Sequence, residues 1–274
     1  KSIRLILISW LKCCECCMLN IDKTQVAQRF AKAGQSYTEH AVVQKKICQQ
    51  LLTLMLNHLP QRCFNQTFEM GCGSGNLSHL LMQNFEMKHC VFNDLYPQVK
   101  THFSNLQNIE WLIGDVEQLD FPQSLDLITS SSALQWMNNI EHIFKKCSEA
   151  LIPHAYFCFS TFGPHNLTEI KALTGQGLSY LNIEEIQEKM TAQNFEILYL
   201  SEHIETLTFP HPKYILQHLK ATGVTATASK HRWTKQSLQK FYQDYQQFSQ
   251  VNQAGECLYT LSYHPIYCIA RSKS

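Results

Sequence analysis

The stretch Phe68-Glu69-Met70-Gly71-Cys72-Gly73-Ser74-Gly75-Asn76-Leu77 constrains this chain more than any other. It sets three alternating glycines where an apolar strand hands over to a helix. Glycine carries no Cβ, so such a loop lets backbone N–H groups approach a ligand closely, beside the positive end of the helix that follows. The spacing argues against one common ligand. A dinucleotide loop reads G-x-G-x-x-G and needs its third glycine at position 76, which here is Asn; the third glycine comes one residue early, at Gly75. An acid, Glu69, stands two residues before the first glycine, and no Lys or Arg lies between Glu69 and Met87 to assist a pyrophosphate. A glycine-rich turn with no ligand is the bland alternative, and the leading acid weighs against it.

The E-x-G-x-G-x-G order resembles motif I of the class I S-adenosylmethionine-dependent methyltransferases. Two acids further along fit the same cofactor. Asp94 follows an apolar run, at a strand end where a carboxylate can accept from both hydroxyls of a ribose; capping a helix is its other use. Asp115 ends another such run in Gly-Asp-Val, where a solvated loop acid is the plain alternative. The resemblance implies that Asp115 accepts from the adenine amino group, with Val116 stacked nearby and Leu95 packed on the ring. It also implies that Glu69 faces the methionine amino group and that Gly71, Gly73 and Gly75 shape the cofactor loop. Three acids and a glycine loop suit a ribose, an amino group and a sulfonium better than a pyrophosphate.

Hydrophobic periodicity sets the frame around this loop. The spacing predicts helix between Asp22 and Leu59, closed by Pro60. Strands are expected at Thr67–Met70, Cys90–Phe92, Glu110–Ile113, Leu125–Thr129 and Tyr156–Ser160, with a helix over Ile140–Leu151 before the last of these. Beyond Phe162 the pattern predicts helices at Leu167–Leu173 and Ile183–Ala192, one long strand over Phe195–Phe209, helices at Tyr214–Lys220 and Lys235–Phe248, and a closing strand over Leu258–Ala270. The alternation predicts an α/β fold. With the resemblance, it implies a Rossmann-like class I methyltransferase sheet, mostly parallel with an antiparallel last strand, and a helical cap inserted near the C-terminus at about 210–250. Residues 18–274 are read as a single methyltransferase domain.

Composition narrows the function classes. A formal charge of +1 argues against bulk electrostatic binding to nucleic acid. The 13 histidines form no H-x-x-x-H or H-E-x-x-H spacing, so no metal is expected. Most of the 12 cysteines sit singly in apolar segments, as buried thiols of a reducing cytoplasm do. The exception, Cys13-Cys14-Glu15-Cys16-Cys17, lacks a second half for a metal site. The run from Ile3 to Leu11 is too short to span a bilayer and has no small-residue cleavage site, so residues 1–17 are expected to be a non-native leader, with no membrane partner.

A closer resemblance covers Lys23 to Arg271. The segments RFAKAGQSYTEHAVVQ (29–44), GCGSGNLS (71–78), SSSALQWM (130–137), LQHLKATGVTAT (216–227) and LSYHPIYCIAR (261–271) are together similar to the malonyl-[acyl-carrier protein] O-methyltransferases of biotin synthesis. Ser131 departs from the Asn common there, and Asn93 from a small or apolar residue. The resemblance implies methylation of the free carboxylate of a malonyl thioester, on acyl-carrier protein or coenzyme A, by a monomer. A carboxylate is already ionised near neutral pH, so no acid or base catalyst is expected. Candidates for the substrate side are Tyr37, His40, Gln135, Trp136 and Lys220, although helix surface or core wall would explain each as well. Lys213, Lys220, Lys230, Arg232, Lys235 and Lys240 face only Asp244 as an acid between positions 213 and 250, an excess suited to an acidic carrier protein or simply to a solvated face. Three other readings stay open: methylation of another small carboxylate or phenol, a non-catalytic cofactor-binding module, and, least favoured by the glycine spacing, a nicotinamide oxidoreductase.

Overall fold

Pro60 fixes where the first long helix stops. In the computed structural model, which describes residues 21–28, 41–106, 109–222 and 233–273, residues 23–28 are helical (α1) and precede α2 (Val42–His58). α2 buries Val43, Ile47, Leu51, Leu54 and Met55 at helical spacing. The proline ring excludes helical geometry from the residue before it, and Leu59 is extended at φ −89°, ψ 125°. Arg62 then reaches back, donating to Leu56 O at 2.7 Å and Leu59 O at 2.5 Å, so the carbonyls at the helix end are not left open. The expected leader, Tyr37, His40, Lys230 and Arg232 lie outside the described residues.

The central sheet is built from β1 (Cys63–Met70), β2 (Glu86–Asp94), β3 (Ile109–Ile113), β4 (Leu125–Ser131), β5 (Leu151–Phe162), β6 (Phe195–Glu202) and β10 (Pro265–Ser272). Their order is β3-β2-β1-β4-β5-β10-β6. The first five strands pair in parallel, and β10 runs antiparallel to both β5 and β6, as expected of this fold class. β1 is central, so its last four residues are buried on both faces. The chain winds outward from β1 through β2 to β3, then returns to place β4 on the other side of β1. Loops after β1 and β4 therefore diverge, opening a crevice at the strands' carboxyl ends.

Helices cover both faces. α2 and α3 (Asn76–Asn84) pack on one, in a core that includes Leu51, Leu81, Ile215, Phe241 and Tyr263. On the other, α4 (Ile140–Ala150) and α6 (Ile183–Ala192) cover an aromatic group in which Phe144, Phe157 and Phe195 are all buried. α6 opens with a reciprocal capping box between Asn182 and Glu185. A short α5 (Thr168–Thr174) precedes it.

Two expected strands prove to be two each. The run Phe195–Phe209 breaks after Glu202, and β7 (Glu205–Phe209) leaves the central sheet. The run Leu258–Ala270 likewise breaks at His264, between β9 (Cys257–Tyr263) and β10. β7, β9 and a short β8 (Ser249–Val251) make a second sheet, order β7-β9-β8, absent from the sequence reading. The burial patterns show why: β9 alternates, as a sheet with one wet face does, while β10 is buried without a break from Pro265 to Ala270. Both corners meet at His264, which is buried. Its Nδ1 accepts from His165 N–H at 3.1 Å, and Nε2 lies 3.0 Å from a Glu202 carboxylate oxygen. Gly163 has to be glycine there, because a Cβ would stand 2.6 Å from the His264 ring. The segment between β6 and β10, where the sequence predicts a helical cap, holds α7 (Pro212–Ala221), α8 (Lys235–Asp244) and this small sheet; the turn Tyr245–Phe248 is a 3₁₀ continuation of α8.

Candidate active site

The crevice beside β1 holds a cleft with about 820 Å³ of free space, its open mouth included. Gly71, Gly73, Asp94, Leu95, Asp115 and Val116 line it, so most of the cofactor residues read from the sequence converge on one wall. The loop conformation explains the glycines. Gly71 has φ +70°, and a Cβ there would stand 2.4 Å from the Ala133 Cβ, so only glycine lets the loops after β1 and β4 close on each other. Gly75, at φ +81°, lies outside the cleft wall as the residue that opens α3. A Cβ there would stand 2.9 Å from the His79 and Phe103 rings.

Strand ends fix the acids. Cys72 N–H donates to Asn93 O at 2.9 Å, tying the glycine loop to the end of β2. The next residue then donates Gly73 N–H to Asp94 Oδ2 at 2.8 Å, while Leu95 N–H donates to Oδ1 at 2.7 Å. These bonds hold the carboxylate beside the glycine loop. Burial nevertheless pushes its pKa up to about 6, with the N–H donors opposing. Glu69 lines a second, smaller cavity that shares Gly71 and Gly73 with the cleft. Burial pushes its carboxyl up to about 8 and the Asp94 charge adds to that, with the nearby Ser78 hydroxyl opposing; Oε2 makes no hydrogen bond within the geometric limits.

Asp115 carries a partner that the sequence did not suggest. Lys23 of α1 bonds its Oδ1 at 2.5 Å and also pairs with Glu117. Glu117 accepts from the backbone N–H groups of Asn138 and Asn139 at 3.0 and 2.7 Å. Burial alone would raise the Glu117 pKa, but Lys23 and those donors outweigh it and hold it below its ordinary value. This knot joins α1, the loop after β3 and the loop after β4. The signal that could have revealed it is the Asp-Val-Glu spacing at 115–117, with two acids on one side of an extended turn calling for a cation.

A family model for the methyltransferase domain matches residues 68–159. Malonyl-[acyl-carrier protein] O-methyltransferase of Acinetobacter baylyi is 46% identical over 258 residues, covering 93% of this chain and 99% of that protein. The chain belongs to the malonyl-[acyl-carrier protein] O-methyltransferase family. The Haemophilus influenzae protein of the same name is 35% identical and covers 93% of this chain and 96% of its own. The fold also matches the crystal structure of the YcgJ protein of Bacillus subtilis, with a TM-score of 0.58 at 14% identity over 82% of this chain and 99% of that one. Members of this family are S-adenosylmethionine-dependent carboxyl methyltransferases of biotin synthesis, and the chain is an enzyme of that kind.

The residues present fit that cofactor. Asp94 offers a carboxylate to hydroxyls, Leu95 and Val116 offer apolar walls, and Glu69 offers a buried acid with an unpaired oxygen to a cation. Among the described residues that line the cleft, Lys23 is the one Lys, and two carboxylates engage it.

The acceptor-side candidates separate. Trp136 lines the cleft and is buried with Val26 of α1 and Leu178. Gln135, its neighbour in the 3₁₀ turn Leu134–Trp136, points instead into a groove between α4 and the segment 178–181, with its Nε2 bonded to Ser132 O at 2.6 Å. Ser131 bonds sideways, 3.3 Å from Cys48 Sγ and 2.9 Å from Ser160 Oγ. Lys220 is exposed on α7 and does not line the cleft. The departure at Asn93 is explained: its side chain donates to Leu112 O at 2.7 Å and Gly114 O at 3.1 Å, locking β2 to the loop that carries Asp115.

Among the described residues no group of His, Cys, Asp or Glu could hold a metal ion, and no helix is long and apolar enough to cross a membrane. Cys48, Cys72, Cys147, Cys158 and Cys268 are buried free thiols, and burial raises the pKa of each.

Proposed function

We propose that the chain methylates the free carboxylate of a malonyl group carried as a thioester on acyl-carrier protein, and that Asp94, Asp115 and Glu69 hold the ribose, the adenine amino group and the α-ammonium of the cofactor. What carries this reading is the extent of the kinship: identity to the Acinetobacter baylyi enzyme spans 93% of the chain, the acceptor side and the cap included. When bound, S-adenosylmethionine supplies a methyl carbon made electrophilic by a positive sulfur. The chain's own residues need only present the carboxylate in line and keep water out. The buried packing of Trp136 against Val26 and Leu178 roofs the cleft. The acceptor enters as an anion, so no residue has to remove a proton.

Of the sequence candidates for the acceptor, Trp136 lines the cleft, Gln135 and Lys220 do not, and Tyr37 and His40 lie outside the described residues. Lys213 and Lys220 are seven residues apart on α7, hence on one face, and both are exposed. That face is the proposed contact for the acidic carrier protein. Lys235 is exposed as well, while Lys240 is paired with Asp244 at 3.0 Å and contributes less. The test compares malonyl-carrier protein with malonyl-coenzyme A. The double variant Lys213→Glu/Lys220→Glu should raise KM for the carrier protein by about tenfold or more at low salt, with a smaller effect at high salt. Equal changes for both acceptors would remove the docking face from the account and leave Lys220 as a contact to the acyl arm.

A further inference from the structure

Native proteins seldom leave buried polar atoms unpaired, because each has given up water for nothing. Four such atoms line a single small cavity in this chain: Gln44 Oε1, Glu69 Oε2, Ser74 Oγ and Ser132 Oγ. They come from four separate elements, namely α2, β1, the glycine loop and the turn after β4. The cavity lies against Gly71 and Gly73, which also line the main cleft, so the two spaces meet at the glycine loop. Ser74 and Ser132 line both.

Chemically the four are complementary pairs. A carboxylate and an amide oxygen accept, and two hydroxyls can donate. One small ligand group satisfies all of them together: an ammonium and a carboxylate on the same carbon. Ser132 is set for this at a cost. Its φ is +56°, a left-handed value that a serine rarely adopts, and it is pinned there by its N–H donating to Ser160 O at 3.0 Å and by Gln135 Nε2 on its carbonyl. Its hydroxyl is buried without a partner, and the residue lines the cavity. Gln44 is almost wholly buried, at 5% exposed, in the first turn of α2, where a polar residue would ordinarily face solvent.

We infer that Gln44 and Ser132 complete a pocket for the amino-acid end of the bound cofactor, Gln44 accepting from its ammonium beside Glu69 and Ser132 donating to its carboxylate beside Ser74. The inference rests on the cofactor reading above and deepens it. It makes the first turn of α2 part of the binding machinery.

Two ligands separate this role from a structural one. S-adenosylhomocysteine carries the amino-acid end, and 5′-methylthioadenosine lacks it while keeping the ribose and adenine. Titration calorimetry of Gln44→Ala should show S-adenosylhomocysteine weakened by at least about tenfold, as expected when a hydrogen bond to a charged group is lost, with 5′-methylthioadenosine unchanged. Ser132→Ala should show the same selectivity. Gln44→Met, which keeps the volume of the side chain, gives the same readout if the alanine variant does not fold. Equal losses for both ligands would make Gln44 a support of the fold and overturn the inference, as would no loss for either. If the unaltered enzyme bound neither ligand, the cofactor reading itself would fall and take the inference with it.

Discussion

S-adenosylhomocysteine should bind more tightly as pH rises from 6 to 8, and Glu69 should carry most of the change. Burial holds the Glu69 carboxyl at about 8, so without ligand it is largely protonated over this range. An ammonium requires the anion. If only the ionised form binds, the apparent Kd is multiplied by one plus ten to the power of pKa minus pH. That factor is about 100 at pH 6, about 11 at pH 7 and about 2 at pH 8. Asp94, raised to about 6 by its own burial, adds roughly another twofold at pH 6. The gain from pH 6 to 8 is then about 50- to 100-fold, on the order of 2–3 kcal/mol. Calorimetry in two buffers of different ionisation enthalpy reads the proton directly, with close to one released per ligand at pH 7. Glu69→Gln cannot ionise, so it should bind more weakly than the unaltered enzyme at pH 8, and its affinity should stay nearly flat from pH 6 to 8 apart from the roughly twofold due to Asp94. A flat profile for the unaltered enzyme, or the same slope in Glu69→Gln, would refute the reasoning.

The same group gives the ligand-free protein a stability slope of opposite sign. The carboxyl titrates at 4.5 ordinarily and at about 8 when folded, so its contribution is complete below about 4.5 and is lost as pH rises through 8; thermal unfolding without ligand should fall across pH 5–8, and less steeply in Glu69→Gln. Gly71→Ala meets both a φ of +70° and the Ala133 methyl at 2.4 Å, and should cost about 1–3 kcal/mol and abolish cofactor binding. Adding Ala133→Gly removes the contact but not the backbone strain, so denaturant titration should show partial recovery only. Lys23→Met strips Glu117 of the cation that holds its pKa down, and carboxyl titration by NMR should show that pKa rise; an unmoved value would mean that the N–H groups of Asn138 and Asn139 set it alone.

The wall of the cleft was legible because it is built from local features. Gly71, Gly73, Asp94 and Asp115 each follow a strand whose apolar run is visible in the sequence, and the parallel sheet brings strand ends together without further information. The second sheet was not legible. β6 and β7 share one apolar run, as do β9 and β10, and what divides them is a buried corner built on His264, Glu202 and Gly163, residues far apart in the chain. The same limit hid Lys23, whose partners at 115 and 117 come close only through the fold. Gln44 and Ser132 were missed for a different reason. A glutamine on a helix and a serine in a run of serines carry no signal until their burial without partners is seen. Gln135 was placed just past β4 correctly, but its side chain enters a groove beside the cleft rather than the cleft itself.

The most direct test of the account is transfer of a labelled methyl group from S-adenosylmethionine, with malonyl-carrier protein, malonyl-coenzyme A and free malonate offered side by side. Label is expected on the malonyl thioesters, carrier protein first, as an ester that mild alkali releases as methanol, with free malonate the poorest acceptor. Label on an unrelated carboxylate or phenol with none on either thioester would contradict it.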